Sequence, residues 1–352
     1  ILALAPREAR AQTATATAGA VRYEMISLAV PGEMWSDTLG VSDDGTVLGE
    51  SQAKDGADSR FFLWRAGAWT FLDRKVRDTS FRPTVIDAGG DIAGTIGEGA
   101  KRHPALLRGG DLKDLGGAFD GSVEVHGIGP GDAVIGNWVG ALVPGREVSD
   151  NAFVLDGGRR VDLPAQRFRR SMAFAMNARG MIVGRVDPAP SIAHGALWTR
   201  DPTSGAWRLT DLGTRGGNTS AAFAIDDHGR IVGSADTENG DRQATLWQII
   251  PASGEVRRTG LGMRGSKWSE ACAISKDGGR IAGLLYDAGG VWRAVVWIVG
   301  ADGRPGDPIA LGGPADLVKG GSEASAINAR GEVAGVVVDA HRREHAVLWR
   351  PV

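Results

Sequence analysis

The stretch 220–233, SAAFAIDDHGRIVG, decides the fold, because close copies of it occur elsewhere in the chain. The stretch 171–184 reads SMAFAMNARGMIVG, and 322–335 reads SEASAINARGEVAG. Aligned on the glycine that ends each copy, this sequence pattern occurs seven times, with successive glycines 42 to 52 residues apart. We number the copies repeats 1 to 7 by these glycines, which are Gly49, Gly94, Gly136, Gly184, Gly233, Gly283 and Gly335. A period in this range is typical of the blades of a β-propeller.

Each repeat is patterned for strands and not for helices. A run of small and apolar residues leads into a turn of Asx and glycine residues, such as SDDG at 42–45, and a second apolar run follows. Residues of these types suit the left-handed backbone of a hairpin turn. A third run, such as ATLW at 244–247, and a fourth that ends in a leucine, such as Leu261, complete the repeat. Four short strands separated by turns predict a four-stranded antiparallel sheet.

The two ends of the chain predict how the sheets are arranged. The chain stops after the third strand of repeat 7, at 348–352, whereas a lone strand at 22–28 precedes repeat 1. We expect this N-terminal strand to complete the last sheet, which would close a ring and leave only short strand edges. The predicted fold is therefore all-β: residues 21–352 form a single seven-bladed β-propeller with four antiparallel strands per blade.

Five of the third runs end in tryptophan, and this recurrence with the repeat indicates packing between blades. These residues are Trp64, Trp198, Trp247, Trp297 and Trp349.

Bulk composition excludes several classes of protein. The formal net charge of −2 argues against binding nucleic acid through global charge. Cys272 is the one cysteine, so no intrachain disulfide can form, and we expect it to be a small buried residue without a base to activate it. No stretch approaches the ~20 continuous apolar residues that a membrane span needs. We expect a monomer.

The first twenty residues bear on the compartment. Residues 1–12, ILALAPREARAQ, join a short apolar run to Ala9-Arg10-Ala11, the small-x-small pattern that signal peptidase cuts. Residues 13–20, TATATAGA, would then form a flexible linker. The pattern predicts a signal-peptide remnant on a secreted or periplasmic bacterial protein; the alternative is a leader without function.

The sequence pattern of the repeat resembles that of the HAF-repeat extracellular proteins of bacteria. The shared pattern is L-G-x-x-G-G-x-x-S-x-A-x-A-I-N/D-x-x-G-x-V-x-G, closed by a small-x-L-W strand, and it is clearest in 171–198, 211–247 and 322–349. Repeats 2 and 3 depart from it, with Arg108 and Leu155 in place of the tryptophan. The resemblance covers about nine-tenths of the chain. It implies export and a propeller, and it transfers no catalytic residue.

The innermost strands supply candidate site residues. Four positions before the apolar residue that ends each first run stand Asp37, Arg82, Glu124, Met172, Ala221, Glu270 and Glu323. Two positions before it stand Leu39, Thr84, His126, Phe174, Phe223, Cys272 and Ser325. In a closed ring, Glu270, Glu323 and Asp37 come from consecutive blades at the channel mouth, and we take these three as the candidate catalytic residues. Clustered carboxylates could hold Ca²⁺, the one cofactor considered, or divide acid and base roles; the alternative is a hydrated ring of acids paired in part with Arg82.

Basic and aromatic residues precede the innermost strands, so we expect a ligand on the face of the ring where these strands begin. The loops at 73–83, 166–171 and 264–268 are rich in Arg and Lys. Tryptophan planes with Arg or Lys suit an anionic glycan, although charged loops are also ordinary on an exported surface. The candidate ligand-binding residues are Trp35, Arg82, His103, Glu124, Arg170, Lys267, Trp268 and Arg342.

Three functional hypotheses follow. The first is an exported binding module for an anionic glycan or an extracellular protein partner. The second is an enzyme on the same face, either a uronate lyase that uses His, Tyr and Arg or a hydrolase that uses the three carboxylates. The third is a structural protein of the envelope or matrix, because propellers host many functions.

Overall fold

The structure is a computed structural model. It describes residues 21–30, 32–53, 59–72, 80–116, 119, 121–140, 150–165, 170–262 and 265–352. Strands dominate these residues, and the helical elements among them are two single-turn 3₁₀ segments, Gly99–Lys101 and Pro130–Asp132.

The strands follow the repeats, with four in each of repeats 1 to 6 and three in repeat 7. The N-terminal strand is β1 (Tyr23–Ser27). Repeats 1 to 3 hold β2 (Glu33–Val41), β3 (Val47–Ala53), β4 (Arg60–Arg65) and β5 (Ala68–Phe71); β6 (Arg82–Ile86), β7 (Ile92–Ile96), β8 (His103–Arg108) and β9 (Asp111–Asp114); and β10 (Gly121–Ile128), β11 (Val134–Gly140), β12 (Asp150–Asp156) and β13 (Arg159–Asp162). Repeats 4 and 5 hold β14 (Arg170–Met176), β15 (Ile182–Ala189), β16 (Ile192–Arg200) and β17 (Trp207–Gly213); and β18 (Gly216–Ile225), β19 (Ile231–Thr237), β20 (Arg242–Ile249) and β21 (Val256–Gly260). Repeats 6 and 7 hold β22 (Ser269–Ile274), β23 (Arg280–Tyr286), β24 (Trp292–Ile298) and β25 (Ile309–Ala310); and β26 (Gly321–Ile327), β27 (Val333–Val338) and β28 (Glu344–Pro351).

Within each repeat the strands pair antiparallel in chain order, and a single parallel bridge between Ala193 and Thr219 joins the sheets of repeats 4 and 5. The sheet of repeat 7 takes its fourth strand from the N-terminus. There β1 pairs antiparallel with β28, from Tyr23 opposite Pro351 to Ser27 opposite Val347. The N-terminal strand thus lies at the outer edge of the sheet formed by the C-terminal residues, as the sequence predicted.

The core lies between neighbouring sheets, and the repeated tryptophans fill it. All five are at most 4% exposed. Trp198 of repeat 4 packs on Val154 and Leu163 of repeat 3, and its indole Nε1 donates a hydrogen bond to Pro164 O at 2.9 Å. Trp297 makes the same donation to Gly262 O at 2.9 Å, and Trp349 to Gly312 O at 2.8 Å. The predicted packing of these residues between sheets is confirmed.

The repeated glycine is required by a close approach of two strands. A Cβ atom added to Gly283 on β23 would lie 2.0 Å from the carbonyl oxygen of Glu270 on β22, and the equivalent glycines of repeats 2 to 5 and 7 face the same conflict. The approach accompanies a β-bulge, because the register of every innermost strand shifts by one residue beside this glycine. A bulge leaves one residue unpaired and redirects its side chain.

Buried serines fasten neighbouring sheets to one another. Near the start of the innermost strand in five repeats, a serine Oγ accepts a hydrogen bond from a backbone N–H of the third strand in the preceding sheet. The pairs, with N–O distances, are Ala152–Ser171 (3.0 Å), Gly195–Ser220 (2.8 Å), Ala244–Ser269 (2.9 Å), Ala294–Ser322 (3.0 Å) and Ala346–Ser36 (3.0 Å). The last pair joins repeat 7 to repeat 1. The hydroxyl satisfies an N–H that would otherwise be buried unpaired.

Candidate functional site

The bulged residues of the innermost strands lie against one another along the inner surface. The rings of His126 and Phe174 have centroids 6.3 Å apart, and those of Phe174 and Phe223 are 5.9 Å apart. Burial, followed by the charges of Glu270 and Glu323, raises the pKa of the Cys272 thiol to about 12. A thiol with so high a pKa is almost entirely protonated at neutral pH. Cys272 is half-buried, whereas the sequence predicted a buried residue.

Of the three candidate catalytic carboxylates, Glu323 interacts electrostatically with both Asp37 and Glu270, and further acids contribute to this region. Asp37 is half-buried, and the loss of hydration raises its pKa to about 6. A hydrogen bond from Thr38 N opposes this rise in pKa. The negative charges of Glu344, Glu323 and Glu50 add to it. Burial also raises the pKa of Glu323, with contributions from Glu344 and Glu270. Glu344 starts β28 and Glu50 stands opposite Asp37 on β3, so neither falls in the aligned positions of the innermost strands.

Two of the predicted acids have partners. Arg242, from the neighbouring repeat 5, donates to Glu270 Oε1 at 3.3 Å and also to Asp236 and Thr219. Glu124 lies 3.5 Å from His126 Nε2 on its own strand. Burial lowers the pKa of His126, and the charge of Glu124 opposes that shift.

The predicted basic residues do not converge on the carboxylates. Arg170 forms an ion pair with Asp150, and His103 Nδ1 lies 2.8 Å from Asp114. Arg82 is exposed at the start of β6, and no ion pair among the described residues joins it to a carboxylate. Arg342 is exposed in the turn between β27 and β28. The basic residues 74, 75, 77, 167, 169 and 264 lie outside the described residues.

A cleft lies on repeat 6, at the edge where its innermost strand begins. Its volume is about 640 Å³, within the range of small-molecule sites. Residues 265–268, which precede β22, line part of it. The rest of the lining includes Tyr286 and Asp287 at the end of β23, Arg293 on β24, and Pro308 and Ala310 at β25.

Three aromatic rings are packed together in repeat 6, and two of them, Trp268 and Tyr286, line the cleft. The Trp268 ring centroid is 5.6 Å from that of Tyr286 and 4.5 Å from that of Trp292, and the last two are 3.7 Å apart. Each residue is half-buried, so part of the surface faces solvent. Arg242 holds the cluster from repeat 5, with its guanidinium carbon 5.6 Å from the Trp268 centroid. The sequence placed Lys267 and Trp268 here, and the structure adds Tyr286 and Trp292 from the adjacent strands.

The charges of the cleft are mostly neutralised. Arg293 donates to Asp287 Oδ2 at 2.8 Å and to Val318 O at 2.7 Å. Lys267 is exposed, and among the described residues no carboxylate forms an ion pair with it.

The candidate Trp35 and a further tryptophan, Trp138, lie in other repeats. Trp35 Nε1 donates to Gln52 Oε1 at 2.9 Å in repeat 1. Trp138, in repeat 3, donates to Asp162 and stacks with Arg160, whose guanidinium carbon is 4.3 Å from its ring centroid. The candidate binding residues therefore divide among separate repeats, and Lys267 and Trp268 of repeat 6 line a cleft.

The described residues that line the cleft include no histidine for a lyase. In the described part of the chain, no group of three or more His, Cys, Asp or Glu side chains is placed to hold a metal ion. No helix in the described ranges is long and apolar enough to cross a membrane.

Comparison with known proteins identifies the fold. No protein-family model matches the chain, and no curated protein matches its sequence. Among solved structures, a prolyl endopeptidase is similar with a TM-score of 0.57 at 12% identity over 87% of this chain and 47% of that one. A puromycin-hydrolysing peptidase of Mycobacterium tuberculosis gives 0.54 at 15% identity, over 92% and 55%. The β-propeller domain of the Trilobed protease from Pyrococcus furiosus gives 0.55 at 15% identity, over 90% and 95%.

The chain thus spans about half the length of the two peptidases and nearly the whole of the separate propeller domain. At these identities the likeness concerns the fold alone. Together with the four-stranded antiparallel sheets, it shows that this chain has a β-propeller fold.

Proposed function

We propose that the chain is a seven-bladed propeller closed by its N-terminal strand, and that it is an exported member of the HAF-repeat proteins that it resembles. Seven copies of the repeat, each within four paired strands, support the blade count. Contacts between repeats 7 and 1 support closure. Besides the Ser36–Ala346 bond, Asn328 Nδ2 donates to Ser42 O at 2.9 Å, and the hydroxyls of Thr38 and Ser325 are 3.1 Å apart.

We propose further that the protein is a binding module for an acidic carbohydrate, which it takes in the cleft of repeat 6. The carrying observation is the three-ring cluster of Trp268, Tyr286 and Trp292 beside the exposed Lys267. Aromatic planes offer apolar area to the C–H face of a sugar ring and lose little side-chain entropy on binding. An ammonium group adds a charge-assisted bond to an acidic substituent.

The surroundings support a carbohydrate over a protein partner. Among the described residues, the exposed large hydrophobic side chains are Met34 and Val352, and neither lines the cleft. A stable protein interface usually buries an apolar centre of hundreds of Å². The cleft instead offers a compact aromatic surface with polar margins, which is the kind of site that a small amphipathic ligand fills.

Calorimetric titration with a tetrasaccharide of galacturonic acid tests the proposal. We expect Trp268→Ala to weaken binding at least about tenfold, because truncating an aromatic anchor usually costs more than about 1 kcal/mol. Trp138→Ala is the matched control, since Trp138 is also half-buried and stacked with an arginine but lies in repeat 3. Failure of the unaltered protein to bind, or equal weakening by both variants, would refute the proposed site.

A further inference from the structure

We propose that the cleft of repeat 6 selects a sugar with one carboxylate and disfavours a densely sulfated chain, with Lys267 as the residue that determines this specificity. The inference rests on the proposed function and adds the charge pattern of the ligand. It follows from the number of positive charges that the described lining of the cleft leaves available.

Among the described residues that line it, the cleft has one positive charge to offer. The charged residues among its described lining are Lys267, Arg293 and Asp287. Arg293 is engaged on both sides, by the carboxylate of Asp287 at 2.8 Å and by the carbonyl oxygen of Val318 at 2.7 Å. Asp287 is held in turn by N–H donors of Gly289 and Val291 at 2.8 and 3.0 Å. A ligand could use Arg293 only by breaking this arrangement, whereas the exposed Lys267 can meet a carboxylate without such a cost.

The surroundings offer little further positive charge. Arg242 lies near Trp268, with its guanidinium carbon 5.6 Å from the ring centroid, but it is already bonded to Asp236 and Glu270. One carboxylate on Lys267 is therefore favourable, while further sulfates would find no unengaged cation among the described residues that line the cleft.

Three tetrasaccharides distinguish the outcomes: galacturonic acid, its carboxyl-reduced counterpart, and a densely sulfated chain. We expect the uronate to bind more tightly than the other two. Lys267→Gln should weaken uronate binding about three- to tenfold, the range for a partly exposed charge-assisted contact, and should leave the carboxyl-reduced sugar unaffected. The exposed position of Lys267 makes this variant safe for folding.

Asp287→Asn is the complementary variant, because it frees the Arg293 charge while the amide oxygen can still accept from Gly289 and Val291 N–H. We expect it to improve binding of the sulfated chain. If uronate binds but Lys267→Gln has no effect, or the sulfated chain binds at least as tightly, the charge rule is wrong and the carbohydrate site stands. If neither acidic sugar binds, the proposed function itself fails.

Discussion

Replacing Asp37 by asparagine should stabilise the protein at neutral pH. The folded structure raises the pKa of Asp37 from 3.8 to about 6, chiefly through burial. Each pKa unit corresponds to about 1.4 kcal/mol, so the ionised carboxylate opposes folding by at most about 3 kcal/mol. Asparagine removes the charge and keeps an oxygen for the hydrogen bond from Thr38 N, which measures 2.6 Å.

The dependence on pH carries a definite sign. A carboxyl group whose pKa is higher in the folded state gives its full stabilisation below pH 3.8 and loses it as the pH rises through 6. The unaltered protein and Asp37→Asn should therefore have similar free energies of unfolding near pH 4. Their difference should grow between pH 4 and 6 and level off above about pH 7. Urea unfolding of both proteins at intervals from pH 4 to 8.5 measures this difference in the free energy of unfolding.

Asp44 supplies a control of opposite sign. Hydrogen bonds from Ser42 and Thr46 lower the pKa of Asp44 to about 2, against a smaller opposing effect of burial. The ionised carboxylate therefore stabilises the folded state above pH 3.8, and this stabilisation is lost as the pH falls toward 2. Asp44→Asn should destabilise at pH 7, where Asp37→Asn stabilises. A stability difference for Asp37→Asn that is flat between pH 4 and 8, or destabilisation at pH 8, would refute the reasoning.

Three further predictions concern contacts within and between the sheets. Ser36→Ala leaves the buried N–H of Ala346 without its acceptor and should lower the free energy of unfolding by about 1–3 kcal/mol in urea titrations. Gly283→Ala should unfold the protein or reduce its melting temperature sharply, since the new Cβ meets Glu270 O at 2.0 Å. Gly312→Ala is the control: an added Cβ has no neighbouring atom within 4 Å, so the melting temperature should be nearly unchanged in the same calorimetric scan. Deleting residues 1–27, and with them β1, should expose the edge of β28 and cause self-association in size-exclusion chromatography. Full stability of Ser36→Ala or Gly283→Ala, or a truncated protein that does not self-associate, would contradict the stated role.

Much of the fold could be predicted from sequence because the repeat carries local signals. Asx and glycine turns and alternating apolar runs indicated the strands, and the leucines that end the fourth runs, such as Leu261 at 2% exposure, are buried. The recurring tryptophans indicated the contact between sheets. The pairing of β1 with β28 followed from counting strands, without any local pattern.

The bulge could not be predicted from period-two patterning. Counting back from Ile274 treats Cys272 and Glu270 as residues on one face of a regular strand, but the register shifts between Ala271 and Ala273, which leaves Cys272 unpaired. The signal was present in the repeated glycine, whose cause, the nearby carbonyl oxygen, is visible only in three dimensions. The repeated serine was likewise visible as a pattern, while its hydrogen-bond donor lies in another repeat.

The candidate site was predictable only in part, because its charges are set by partners distant in sequence. Asp150 neutralises Arg170, and Asp114 lies beside His103. Lys267 and Trp268 stood out as a basic and aromatic pair. That Tyr286 and Trp292 join them depends on the pairing of β23 with β24, in which these two residues are directly opposite each other.

The most direct test of the account is to observe which indoles respond to an acidic sugar. The chain has eleven tryptophans, whose ¹⁵N-indole resonances can be assigned by single replacements with phenylalanine. Titration with the galacturonic acid tetrasaccharide should shift the signals of Trp268 and Trp292 and leave those of Trp35 and Trp138 in place. Shifts at Trp35 or Trp138 without shifts at Trp268 would contradict the assignment of the cleft of repeat 6 as the binding site.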